Sequence, residues 1–216
     1  MACDLAGGAV AIFPTETVYG IGASVFSRSG IQRIYHLKGR QGRKPLALLV
    51  PSLLLSTPLV ESIPPEALRL AKRFWPGPLT LVLKASPLGR LVTGGLATIG
   101  IRIPDHPIAL ALLRKVGIPL AVTSVNRSGQ KPAVSGAECQ RFVAEALARG
   151  LKSRSRAAAE DPWDSPGAPP TVDWLIDAGV CRVKAASSVI DLSHYPYTVI
   201  REGAITKKCL EKALSG

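Results

Sequence analysis

The stretch HLKGRQGRKPLALLV, residues 36–50, constrains this chain more than any other. Four cations, Lys38, Arg40, Arg43 and Lys44, fall within seven residues and stand directly before an unbroken apolar run. Pro45 stops any helix. Leu46, Ala47, Leu48, Leu49 and Val50 lack the alternation of a half-exposed strand, so they read as a strand covered on both faces, as in an α/β sheet. A cationic loop fixed to the end of such a strand can hold a polyanion; the alternative is a basic turn that only faces solvent. Like charges this close repel when no anion is bound, so Lys38→Ala and Arg40→Ala are expected to leave the melting temperature of the apo protein unchanged or slightly higher.

At 216 residues and 47% hydrophobic content the chain can bury one sizeable core, and a single domain over residues 1–216 is expected. The formal charge of +12 favours anionic partners such as nucleotides, RNA or an anionic membrane surface. Cys3, Cys139, Cys181 and Cys209 are scattered, with no C-x-x-C pair and no histidine at metal-ligand spacing, which suggests reduced thiols and neither a zinc site nor a disulfide framework. Asp4 stands where a basic leader region would be, and no apolar run reaches the length of a membrane span. A cytoplasmic protein without membrane attachment is expected.

Along the chain, Gly8 to Phe13 reads as a buried strand ended by Pro14, delivering Thr15, Glu16, Thr17, Tyr19 and Gly20 into a polar turn. Ser27 or Ser29 can cap a helix on which Ile31, Ile34 and Leu37 recur, and that helix leads into Lys38. Pro64-Pro65-Glu66 opens a helix expected to bury Ala67, Leu68, Ala71 and Phe74, closed by Trp75-Pro76-Gly77-Pro78. Strands follow at 79–84 and 98–103; in the second, Ile99, Ile101 and Ile103 alternate with Thr98, Gly100 and Arg102. A mid-strand arginine is paired, either with a structural carboxylate or with a ligand's, and Gly100 leaves room beside it. A helix over 107–116 closed by Gly117 precedes a strand that runs into Ser124, Val125 and Asn126. Ser135 and Glu138 form a capping-box pattern for a helix expected to stop at Gly150. Residues 151–171 lose periodicity and read as a flexible insertion, after which strand patterns resume at 174–176, 187–192 and 198–200, before a terminal helix capped by Thr206.

The chemical inventory lacks G-x-x-x-x-G-K-[ST], G-x-G-x-x-G and G-x-S-x-G, and no cysteine stands beside a plausible base. His36, His106 and His194 are isolated in sequence and read as core or surface residues. What remains is hydroxyls, an amide and cations at strand ends, a set suited to binding a triphosphate while a substrate supplies the nucleophile.

FPTETVYGIGA, the KGR of 38–40 with KPL at 44–46, WPGPLTLVL, GIRIPDHP, the TSVN of 123–126, SSVIDL and IREGAIT, in this order, resemble the YrdC family of threonylcarbamoyl-adenylate synthases over about residues 8–208. The resemblance implies an α/β domain whose twisted mixed sheet, flanked by helices, surrounds a cationic cavity. It further implies binding of ATP, Mg²⁺, L-threonine and bicarbonate, and release of pyrophosphate with L-threonylcarbamoyl-AMP. That product would be the donor for modifying the tRNA adenosine beside the anticodon, with tRNA and a threonylcarbamoyl-transferase machinery downstream.

Position by position, Lys38 and Arg40 match the family's K-x-R and Ser124 and Asn126 its S-x-N, which meet phosphates and metal; Asn126 is the expected Mg²⁺ contact, and Lys44 joins as a phosphate contact. Thr17, Arg102 and Ser187 fall where threonine is gripped, Arg102 as a two-nitrogen clamp on its carboxylate, with Leu49 and the backbone at Val122 lining that pocket. Thr98, Pro132 and Arg201 fall on the nucleotide side. Val125 departs from the common SAN, and Glu202 from R-P-G; an Arg201–Glu202 pair would weaken the hold on ATP. Two rivals stand beside this reading. An RNA-binding module of the same fold should interleave aromatics with its cations, and only 5% of the chain is aromatic. A carbamoyl-adenylate-forming relative acting on another substrate, such as the carbamoyltransferases of hydrogenase maturation, would carry C-x-x-C zinc fingers.

Overall fold

The computed structural model describes residues 1–39, 45–153 and 171–215. Arg40, Arg43 and Lys44 of the cationic stretch, and nearly all of the 151–171 segment, lie outside the described residues. In chain order the elements are α1 (Ala2–Ala6), β1 (Ala11–Phe13), β2 (Gly20–Ser24), α2 (Arg28–Leu37), β3 (Ala47–Leu49), a 3-10 helix (Leu53–Leu59), α3 (Pro65–Phe74), β4 (Leu79–Lys84), α4 (Pro87–Val92), β5 (Thr98–Arg102), α5 (Pro107–Val116), β6 (Leu120–Ser124), α6 (Gly136–Ser153), β7 (Trp174–Leu175), β8 (Ser188–Asp191), β9 (Thr198–Arg201) and α7 (Lys207–Leu214). The strands form one nine-stranded mixed sheet in the order β7-β1-β2-β6-β3-β5-β4-β8-β9. The apolar run after Pro45 lies at its centre: β3 pairs parallel with β5 and antiparallel with β6.

Strand alternation gives the sheet two unlike faces. One face carries Val10, Ile12, Ile21, Leu48, Leu81, Ile101, Ala121 and Ile190, which join a single apolar cluster with Ile34 and Leu37 of α2, Leu70 of α3, Phe142 of α6 and Leu210 of α7. The opposite face joins small and polar side chains to an apolar patch of Phe13, Leu49 and Leu120. One row crosses it as Ala11, Gly22, Val122, Ala47, Gly100 and Val82, and a neighbouring row runs through Leu120, Leu49 and Arg102. Helices α1 and α5 cover only part of this face, where Leu5, Ala109, Leu112 and Leu113 meet Phe13, Leu49, Leu120 and Val122. Ala47, Val82, Thr98 and Gly100 beyond them are only half-buried. The tight floor requires glycine at two positions, since a Cβ on Gly20 or Gly22 would stand 2.8 or 2.7 Å from the Val122 methyls.

Three local expectations are corrected. Helix α3 buries Ala67 and Leu70 and leaves Leu68 exposed, because Ala67 and Leu70, three apart, define the inward stripe. The Glu138 carboxylate accepts from Val134 N at 2.6 Å and not from the Ser135 amide, while Ser135 Oγ accepts from Glu138 N at 3.4 Å. Helix α6 runs through Gly150 to Ser153, so glycine does not end it.

Candidate active site

The polar end of the open face begins at the C-terminus of α2, which Ser27 opens by accepting from Gly30 N at 3.1 Å. Lys38, the next residue after α2, is only 2% exposed. Its Nζ donates to the carbonyl oxygens of Ser124 and Asn126, the latter at 2.9 Å, and to Asn126 Oδ1 at 3.0 Å. Ser124 Oγ donates to the same Oδ1 at 2.6 Å, and Asn126 Nδ2 donates to the carbonyls of Arg127 at 2.9 Å and Gln130 at 2.8 Å. Half-buried Pro132 precedes Ala133, whose backbone ties this turn to Val125 at 2.8 Å and to Tyr19 at 2.9 Å. Lys38 is therefore not a solvated arm in a repelling cluster. It is a desolvated ammonium that holds the 124–126 turn, and its removal takes a donor from the Ser124 and Asn126 carbonyl oxygens, while Asn126 Oδ1 keeps Ser124 Oγ. This overturns the expectation that Lys38→Ala leaves stability untouched; Arg40 and Lys44 lie outside the described residues.

The other end is built on Arg102, itself 6% exposed. Its Nη2 donates to Glu16 Oε1 at 2.7 Å and to Thr17 Oγ1 at 2.8 Å, and its Nε donates to Gly77 O at 3.1 Å. The partner of the mid-strand arginine is thus a structural carboxylate. Both Nη2 protons are used, so among the described residues Nη1 is the guanidinium nitrogen left without a protein acceptor. Thr17 is fully buried and shares a hydrogen bond of 2.8 Å with Thr15 Oγ1, which donates to Val18 O at 2.6 Å. Glu16 was read from sequence only as part of a polar turn; a lone carboxylate flanked by apolar strands has to be paired, and that was the available signal.

The row of Arg102 continues across the sheet through Thr80 and Val189 to Arg201. Arg201 is exposed as a residue, yet its guanidinium turns inward, with Nε and Nη2 donating to Ser187 O at 3.0 and 2.7 Å and Nη2 to Ser187 Oγ at 3.1 Å. Ser187 Oγ lies 3.0 Å from Thr80 Oγ1. Burial, and then the like charge of Arg102, lower the Arg201 pKa from its ordinary value. Among the described residues no ion pair joins Arg201 to Glu202, so the expected competition is not seen. Thr98 stands level with Ser124 on the same face, two strands away. Thr98 and Arg102 are four residues apart on β5, or about 13 Å along the strand. Val122 lies between the two ends as floor and Leu49 beside Arg102 in its row, both buried.

Among the described residues no group of three or more His, Cys, Asp or Glu could hold a metal. Asn126 Oδ1, the expected Mg²⁺ contact, already accepts from Lys38 Nζ and Ser124 Oγ. As arranged, these side chains do not fit the ion. His106 Nδ1 is buried without a partner, and burial lowers its pKa against the opposing pull of Glu16 and Asp105. Burial pushes the Cys139 and Cys181 thiols up, to about 12 and about 11, which keeps both protonated and out of the chemistry.

A family model described as "Telomere recombination", covering Sua5, YciO and YrdC, matches residues 4–161. Threonylcarbamoyl-AMP synthase of Pyrococcus abyssi (strain GE5 / Orsay) is 38% identical over 208 residues, covering 96% of this chain and 54% of that protein. The enzyme of the same name from Bacillus subtilis (strain 168) is 36% identical over 207 residues, covering 95% of this chain and 53% of that protein. The chain spans about half the length of these two relatives. The solved structure of P. abyssi Sua5 complexed with L-threonine superposes with a TM-score of 0.82 at 35% identity, covering 98% of this chain and 55% of that one.

Proposed function

This chain belongs to the Sua5/YciO/YrdC family, and on that premise we propose that it forms L-threonylcarbamoyl-AMP from L-threonine, bicarbonate or CO₂, and ATP, with release of pyrophosphate. The observation that carries this reading is one open sheet face with two unlike polar ends. Lys38, Ser124 and Asn126 make one end and Arg102, Thr17 and Ser187 the other, with a floor of small residues between. Such a site suits a ligand that is polyanionic at one end and an amino acid at the other. The P. abyssi relative was solved with L-threonine; here threonine would lie at the Arg102 end, its carboxylate on Nη1 and its hydroxyl within reach of Thr17 and Ser187.

In this reaction the threonine amine captures CO₂ to give a carbamate, whose oxygen attacks the α-phosphorus of ATP. One P–O bond forms, the bond to pyrophosphate breaks, and no protein nucleophile is needed. Lys38 would meet a phosphate oxygen by exchanging one of its three acceptors, Asn126 Oδ1 being the one that keeps another donor. Arg40 and Lys44 would add charge to the leaving pyrophosphate, with Arg201, Thr98 and Pro132 on the nucleotide side. The product would feed threonylcarbamoylation of tRNA by a separate transferase in the cytoplasm. No helix among the described residues is long and apolar enough to cross a membrane. The test is pyrophosphate release from ATP: it should require threonine and bicarbonate together, and release with ATP alone would refute the reading.

A further inference from the structure

We propose that Glu16 is a positioning residue that sets the threonine affinity of this site by fixing which edge of the Arg102 guanidinium faces the ligand; this rests on the function proposed above. Glu16 is 2% exposed, and its carboxylate spans two segments of chain. Oε1 accepts from Arg102 Nη2 at 2.7 Å, and Oε2 accepts from Asp105 N at 3.1 Å, two residues before α5 begins. The Glu16 carbonyl also accepts from Val183 N at 2.8 Å, in the loop that leads to Ser187. One residue therefore ties together the end of β5, the entry to α5 and the approach to Ser187.

The consequence for Arg102 follows from counting its protons. Nε–H is held by Gly77 O, and the two Nη2 protons by Glu16 and Thr17, so the guanidinium plane has one orientation and the Nη1 pair is what remains for a ligand. Without the carboxylate, Nη2 regains a free proton, and the plane can turn about Cδ–Nε. A ligand carboxylate would then meet a guanidinium that must be ordered on binding, at a cost in threonine affinity that the nucleotide-side Thr98, about 13 Å along β5, does not share. Gly77 O and Thr17 Oγ1 would remain as acceptors, but both are neutral and hold the guanidinium less strongly than the carboxylate does.

The experiment compares wild type, Glu16→Gln and Glu16→Asp by steady-state pyrophosphate release, with melting curves for each. Glu16→Gln, which keeps the shape and loses the charge, should raise the threonine KM about 10- to 100-fold, the range for losing one charge-assisted hydrogen bond, with the ATP KM within about 3-fold of wild type. In an Arg102→Lys background the same substitution should add less than about 3-fold, because the group it acts through is gone. A general loss of packing would instead raise both KM values together, or lower kcat with both unchanged, and either result overturns the assignment. If Glu16→Gln does not fold, threonine binding to Glu16→Asp by calorimetry takes its place; unchanged affinity there overturns it equally. Wild-type release that ignores threonine would refute the proposed function, an outcome distinct from a wild type that needs threonine and a Glu16→Gln that binds it normally.

Discussion

Replacing Lys38 by methionine separates the two accounts of the cationic stretch. Methionine keeps an unbranched apolar stem of similar reach and removes only the ammonium, which is bonded to Ser124 O, Asn126 O and Asn126 Oδ1. Oδ1 retains Ser124 Oγ, so two carbonyl oxygens lose a donor. Ser124 and Asn126 are half-buried and water reaches them in part, so each loss costs about 1 kcal/mol, the low end for an unsatisfied acceptor. The sum, about 2 kcal/mol, lowers the melting temperature by about 4 to 8 °C for a chain of this length. Lys38→Ala should fall further, since it also empties the space of a stem that is 2% exposed. Charge repulsion among Lys38, Arg40, Arg43 and Lys44 predicts the opposite sign, and a difference that shrinks as salt rises. Melting curves by circular dichroism at low and high salt read both. A Lys38→Met protein that melts at or above the wild-type temperature, or whose deficit disappears in high salt, would refute the buried-anchor account.

Other tests address the rest of the site. Arg102→Lys loses the Gly77, Glu16 and Thr17 bonds as a set, so the threonine KM should rise at least 10-fold more than the ATP KM by initial-rate kinetics. Gly22→Ala sets a Cβ 2.7 Å from Val122 Cγ2 and should cost about 1 to 3 kcal/mol in urea unfolding, with most of the loss recovered in Gly22→Ala/Val122→Ala. Cys139, Cys181 and Tyr19 are all raised by burial, to about 12, about 11 and about 12. The folded state therefore holds protons that the unfolded chain releases from about pH 9 upward, and stability should fall with rising pH between about 9 and 12; a flat melting profile over that range contradicts the burial. At pH 8 a thiol reagent should modify exposed Cys3 readily, and Cys139 and Cys181 only after denaturation.

The central strand, the alternation of β5 and the amphipathic α2, α5 and α7 were legible because burial on one or both faces writes itself into residue order. β2 was not: its GIGAS sequence has no bulky residue on the floor side, since Val122 lies over both glycines, and such a strand looks like a turn. α1 and α4, with five and six residues, are too short to show a helical period. At the site, residue types marked strand ends that the fold gathers on one face of the sheet, but partner choice did not follow from them. That Lys38 would turn inward onto backbone carbonyls, and that Arg102 would spend two donors on Glu16 and Thr17, depends on contacts between segments more than eighty residues apart in sequence.

The two-faced sheet also limits how the distance between the ends of the site can change in evolution. Thr98 and Arg102 share one strand, so their spacing belongs to the backbone. An insertion of a single residue in β5 would turn one of them onto the apolar side among Leu48, Ile101 and Ala121. Only paired insertions keep both on the open face, and each such pair lengthens the gap by about 6.6 Å. Between those steps, a relative that takes a longer or shorter amino acid has to absorb the difference in side chains at the ends or in the loops beyond them, with the central strands held to the same register.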